Sequence, residues 1–184
     1  MTGWVAKLLS LFSPRVVVPA GVPATTLQTH LLQVAGSQVG VAETTRNRGP
    51  EIGKYWSATT YPEGMDERQP WCAAFVAWCL REAIVRRYGS EAACPFKRCR
   101  SARVYDWLDW ADRERAVAVV KEPRAGDVAV YSFSHIGIVS DYNGGSDFTA
   151  IEGNTDDLGG REGVEVATRR RQLKQVRAFL RLPS

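Results

Sequence analysis

At 184 residues, with 45% hydrophobic and 24% charged side chains, the chain is long enough to bury a full core and too balanced in composition to be disordered. Its net charge of +4 is lodged at one end: from Arg161 onward seven Lys/Arg stand against two Asp/Glu, whereas the first 160 residues hold 17 against 18. Four cysteines are too few for a disulfide-built scaffold, and no apolar run is long enough to span a bilayer as a helix.

Residues 1–25 read as a segment apart. Trp4, Val5, Leu8, Leu9, Leu11 and Phe12 predict a short amphipathic helix, and Pro14 to Pro23 a linker. No positive charge precedes the apolar residues except the amino terminus, so the stretch is a poor export signal. Residues 26–184 read as one catalytic-sized domain. Thr25 or Thr26 caps a first helix through Leu27, Leu31, Leu32, Val34, Ala35 and Val39, ending near Gly40. Glu51 to Trp56 adds a helical turn, and the polar stretch Thr59 to Gln69 is a loop.

That loop delivers the chain to Gln69-Pro-Trp-Cys-Ala-Ala-Phe-Val-Ala-Trp-Cys-Leu-Arg81. Pro70 suits a first helical position, and Phe75, Val76, Cys79 and Ala83 recur at helical spacing to make a core stripe. Cys72 falls in the first turn, where unpaired N–H groups and the positive end of the helix dipole favour a thiolate. The competing reading is a small core residue. The helix should stop before Gly89, and Ser101 should cap another through Val104, Trp107, Leu108 and Ala111.

Beyond Lys121 the pattern turns to strands: Asp127–Phe133, His135–Ser140 with His135, Gly137 and Val139 on one face, and Phe148–Glu152, with Asn143-Gly-Gly-Ser146 a hairpin turn between the last two. Gly153-Asn154 reads as a turn, then Gly159-Gly160 as another, followed by strands at Val164–Arg169 and Val176–Leu182. Helices first and antiparallel strands afterwards make an α+β fold, with N-terminal helices packed on a C-terminal sheet.

The chain has two histidines. His30 lies beside the apolar positions of the first helix and reads as structural. His135 opens a strand where a sheet edge can meet the top of a helix, and so suits a base for a thiol nucleophile. Glu152, ending the neighbouring strand, suits the group that orients the base. Asn154, two residues on, is a further polar contact to the imidazole or the substrate.

Pro70-Trp-Cys-Ala-Ala-Phe-Val76, Gly126-Asp-Val-Ala-Val-Tyr131, Ser134-His-Ile-Gly-Ile-Val139 and Ile151-Glu-Gly-Asn-Thr155, in that order, resemble the CHAP family of cysteine, histidine-dependent amidohydrolases/peptidases, relatives of the NlpC/P60 and papain-like enzymes. The resemblance covers about Leu27 to Leu182. It implies a papain-like α+β fold with Cys72 as nucleophile, His135 as base, Glu152 as orienting acid and Asn154 as accessory residue. It also implies peptidoglycan as substrate, cut at the N-acetylmuramoyl-L-alanine amide or within the stem or cross-bridge peptide. The Cys72 N–H is the natural oxyanion donor; Gln69 and Trp71 are weaker oxyanion or substrate contacts. The chemistry requires no metal or cofactor. Some family members bind calcium just before the cysteine, but Glu63-Gly-Met-Asp-Glu-Arg-Gln-Pro70 lacks their alternating aspartates, and no calcium site is expected.

These readings predict a monomer acting at the bacterial cell wall after delivery, as a phage lysin or as an antibacterial effector with a cognate immunity protein and a delivery apparatus. The basic C-terminal strands could add affinity for the anionic wall. Three alternatives carry different expectations. A zinc site would draw on Cys94 and Cys99 with His135 and Cys72 or Cys79, but the spacing lacks a second close pair. A nucleic-acid module would use Arg169 to Arg177, but no recognition helix or stacking motif accompanies it. An intracellular cysteine peptidase or amidase would use the same triad on another substrate. A Cys94–Cys99 bridge and a free pair are equally compatible with the spacing.

Overall fold

The computed structural model describes residues 26–156 and 163–183. The amphipathic segment read at 1–25 and the turn read at Gly159-Gly160 lie outside them. Thr26 opens helix α1 (Leu27–Gly36), its hydroxyl accepting the Thr29 N–H at 3.2 Å. The helix stops at Gly36 rather than near Gly40, because Ser37 caps it, its hydroxyl donating to the Val34 carbonyl at 2.7 Å. Helix α2 (Pro50–Trp56) begins with its proline, as the missing N–H allows.

The third helix, α3 (Cys72–Tyr88), begins two residues later than the proline rule suggests: Trp71, at φ −107° and ψ 12°, is the residue outside the helix, and Cys72 is the first within it. Gly89 ends it in the left-handed conformation (φ 83°), where a side chain would be strained. Helix α4 (Asp106–Arg113) also begins later than expected. Ser101 does not cap it; its hydroxyl donates to Asp106 Oδ2 at 2.6 Å and accepts the Arg103 N–H at 3.0 Å, shaping a turn ahead of the helix.

Six antiparallel strands follow: β1 (Ala118–Val120), β2 (Val128–Tyr131), β3 (Ile136–Asp141), β4 (Asp147–Thr155), β5 (Glu165–Gln172) and β6 (Val176–Arg181). Their spatial order is β1-β6-β2-β3-β4-β5, so the α+β arrangement stands as predicted. Strand β1 is too short to announce itself by alternation and is held by pairing with β6, Val119 facing Leu180. The hairpin at Asn143–Ser146 forms with Gly144 and Gly145 at φ 92° and 89°. No turn occurs at Gly153-Asn154. There β4 continues through an irregularity in its pairing with β5 between Glu152 and Thr155, and Asn154 takes φ 57°.

Helix α3 is buried against α1 and α2 on one side and β3 and β4 on the other, with Ala73, Phe75, Val76, Cys79, Leu80 and Ala83 all in the core. Val128, Val130, Ile136 and Ile138 belong to that core, while Ala129, Tyr131, Val139, Phe148, Ala150 and Phe179 form a second cluster. Within the basic C-terminal run four arginines are paired with acids, while Lys174 and Arg177 stay exposed. Arg169 pairs with Glu165 (3.1 Å), Arg170 with Asp147 (2.7 Å), Arg171 with Glu152 (2.5 Å) and Arg181 with Asp127 (2.7 Å). Strand pairing brings cations and acids together that lie far apart in sequence.

Gly153 is where sheet and helix touch most closely. A Cβ there would lie 2.7 Å from both Phe75 Cβ and Trp71 Cζ3. Replacing it with alanine is expected to push β4 away from the start of α3, costing about 1–3 kcal/mol in urea denaturation and lowering activity at the same time.

Candidate active site

Cys72, as the first residue of α3, carries a backbone N–H with no acceptor in its own helix. The residue is buried but opens on a cleft of about 280 Å³. Gln69, Pro70, Trp56 and Tyr61 line this cleft, as do Ala102 to Asp106 and Ser134. The cysteine is steadied from behind. Trp71 is wholly buried, stacks on Tyr55 (centroids 5.5 Å apart) and donates its indole N–H to Glu43 Oε2 at 3.1 Å. Its side chain is committed to the core and is not part of the cleft lining, whereas the exposed Gln69 does line the cleft.

His135 is fully buried and follows Ser134, which holds a left-handed φ of 58°. Its Nε2 lies 3.0 Å from Glu152 Oε2. Nδ1 makes no complete hydrogen bond and is the ring atom left for the Cys72 thiol. Burial alone would lower the imidazole pKa, but Cys72, followed by Glu152, outweighs it and lifts it from 6.5 to about 9.

Glu152 is buried and fully bonded. Its Oε1 accepts from Tyr131 Oη at 2.7 Å and Arg171 Nε at 2.8 Å; its Oε2 accepts from Arg171 Nη2 at 2.5 Å and meets His135. Burial would raise its pKa, but Arg171, then His135, brings it down from 4.5 to about 2. The Arg171 guanidinium lies 5.3 Å from the ring centroids of both Tyr131 and Phe133, and those rings stack in turn on His135 at 5.8 and 5.9 Å. Space for the carboxylate comes from Gly137, where a Cβ would stand 2.6 Å from Glu152 Cγ.

The structure brings Cys72, His135 and Glu152 together and keeps Asn154 off the imidazole. Asn154 is buried, yet neither its amide nitrogen nor its oxygen has a hydrogen-bond partner, so it does not touch the imidazole. The irregularity of β4 between Glu152 and Thr155 breaks the alternation that would have set the two side chains together. Arg171, Tyr131 and Gly137 are the participants missed. Arg171 sits in a run of three arginines that distinguishes none of them, and Tyr131 looks like any strand aromatic. Cys94 and Cys99 are unbridged. Among the described residues no three His, Cys, Asp or Glu side chains gather in a way that could hold a metal ion, so the zinc alternative has no donor set there.

Two outcomes are expected. Arg171→Ala should destabilise the fold by about 3–5 kcal/mol in chemical denaturation, because it strands a buried carboxylate, and Arg171→Lys should restore only part, since an ammonium cannot make the paired bonds. Stability should also follow pH. The raised pKa of His135 contributes stability that is complete below 6.5 and lost as pH rises through about 9. The lowered pKa of Glu152 contributes stability present above 4.5 and lost as pH falls through about 2. Melting temperature against pH should fall at both ends, and His135→Asn should flatten the alkaline fall and weaken the acid fall only in part, since Arg171 still holds Glu152.

Compared with models of protein families, residues 64–154 match the CHAP domain. The matched stretch holds Cys72, His135, Glu152 and Asn154, while Arg171 lies beyond it. No curated protein and no solved structure matches the chain. A family match that spans a helix-borne cysteine and a histidine–glutamate pair leads to one conclusion: the chain carries a CHAP domain and is a hydrolase of the amidase or peptidase type.

Proposed function

We propose that the protein hydrolyses peptidoglycan, cleaving either the N-acetylmuramoyl-L-alanine amide or a peptide bond of the stem or cross-bridge, with Cys72 as nucleophile, His135 as base and acid, and Glu152 as the group that orients the ring. One observation carries this reading: Nε2 of His135 is held by Glu152 at 3.0 Å, which leaves the other ring nitrogen to the cysteine at the start of α3. A CHAP domain commonly acts on peptidoglycan, which supports the choice of substrate.

The reaction is acyl transfer. The Cys72 proton resides on or passes to His135, and sulfur adds to the amide carbonyl. The carbonyl oxygen takes the negative charge and is met by the Cys72 N–H and, from the cleft wall, the Gln69 amide. The imidazolium then gives its proton to the departing amine, leaving a thioester on Cys72. Water, deprotonated by His135, releases the acid and restores the thiol. Through each step Glu152 keeps Nδ1 aimed at the sulfur. The setting we propose is the bacterial wall, reached as a phage lysin or as a delivered antibacterial effector whose producer carries an immunity protein.

Purified sacculi digested with the native enzyme and with Cys72→Ala test the reading. Mass spectrometry of the native digest should show new amino termini or freed stem peptides at one bond type, and the variant should be slower by about a thousandfold or more. Sacculi left intact by the native enzyme, with cleavage of general peptide or amide substrates retained, would transfer the same triad to a non-wall substrate.

A further inference from the structure

The turn between β2 and β3 carries His135, and a residue from outside the sheet grips it. Tyr105, which precedes α4, donates its hydroxyl to the Ser132 carbonyl at 2.9 Å and accepts the Ser134 N–H at 3.1 Å. A single oxygen therefore spans the turn on both sides of Phe133. The same phenol lines the cleft with Cys72 and Ser134, and the Arg177 guanidinium lies 5.1 Å from its ring centroid.

The grip matters because of the backbone it holds. Ser134 is not a glycine, yet it sits at φ 58°, a conformation that costs free energy in any residue with a Cβ. His135 is the next residue. If Ser134 relaxed toward the right-handed region, the Cα–Cβ direction of His135 would swing and Nδ1 would leave the sulfur. Other anchors of the turn are the Ser132 N–H and hydroxyl to the Gln175 carbonyl, at 2.9 and 3.2 Å, and the Tyr131 N–H to the His135 carbonyl at 2.9 Å. None of these engages the Ser134 backbone.

We propose that Tyr105 is a positioning residue for His135: its hydroxyl holds Ser134 in the left-handed conformation and so sets the imidazole against Cys72. The inference rests on the roles of Cys72 and His135 proposed above. It adds a dependence of that pair on the far wall of the cleft, because whatever fills the cleft touches the residue that aims the base.

Iodoacetamide alkylation of the full chain, followed at the Cys72 peptide by mass spectrometry across pH, tests the proposal without needing a substrate. NMR titration of the His135 ring runs beside it. Tyr105→Phe keeps the ring, the cleft wall and the Arg177 contact while removing both hydrogen bonds. Alkylation at neutral pH should slow by about tenfold, and the His135 titration should move downward as its partnership with Cys72 loosens. Arg177→Ala keeps both hydrogen bonds and should leave both profiles as in the native chain. An unchanged alkylation profile and titration in Tyr105→Phe, whatever the melting temperature does, overturns the proposal. So does an equal slowing in Arg177→Ala, which would assign the effect to ring packing. His135→Ala separates the two levels: native alkylation that does not depend on His135 removes the reading of the site itself, whereas dependence on His135 with no effect of Tyr105→Phe removes this inference alone.

Discussion

A single buried carboxylate ties the catalytic end of this molecule together. Taking an ion out of water costs several kcal/mol unless its lone pairs are met, and Glu152 has two partners on each oxygen. Those partners come from different places: Tyr131 ends β2, His135 precedes β3 and Arg171 lies in β5, while Glu152 itself is on β4. Four segments of sheet thus converge on one group. Arg171 leads in holding that carboxyl below its usual range, with His135 next. The raised pKa of His135 owes more to Cys72 than to Glu152, whose hydrogen bond also fixes the ring.

The other half of the site depends on where α3 begins. Glu43 Oε2 accepts both the Trp71 indole and the Asn47 backbone N–H, at 3.1 and 2.9 Å, and the Asn47 amide donates to the Arg68 carbonyl at 2.9 Å. These bonds fasten the polar loop that leads to Cys72 onto the chain beyond α1. Gly153 then lets β4 lie against Phe75 and Trp71. Helix and sheet are brought within reach by the absence of a side chain at one position.

Much of this was legible in the chain. A cysteine at a helix start, a histidine opening a strand after Ser-Phe-Ser and a glutamate closing the next strand are local patterns, and the fold places all three together. The misses share a cause. In β5, Arg171 stands opposite Phe148, and the residue facing Glu152 is Ala167, so even a correct register would not have paired the arginine with the glutamate. Its long side chain reaches back along the strand. Asn154 stands off the imidazole because β4 runs on past Glu152 through an irregularity, where the sequence suggested a turn. The net charge of the basic C-terminal run says nothing of the acids, Asp127, Asp147, Glu152 and Glu165, that pairing and side-chain reach bring beside four of its arginines.

The sequence by itself determined the four helices and five of the six strands, and singled out the cysteine, the histidine and the glutamate, because periodicity, turn residues and motif spacing act over short stretches. Only the tertiary structure decided which arginine neutralises the acid, which tyrosine grips the turn of the base and why residue 137 has no side chain. Those choices depend on register, on reach and on the space left between strands, and none of these is written in any stretch of neighbouring residues.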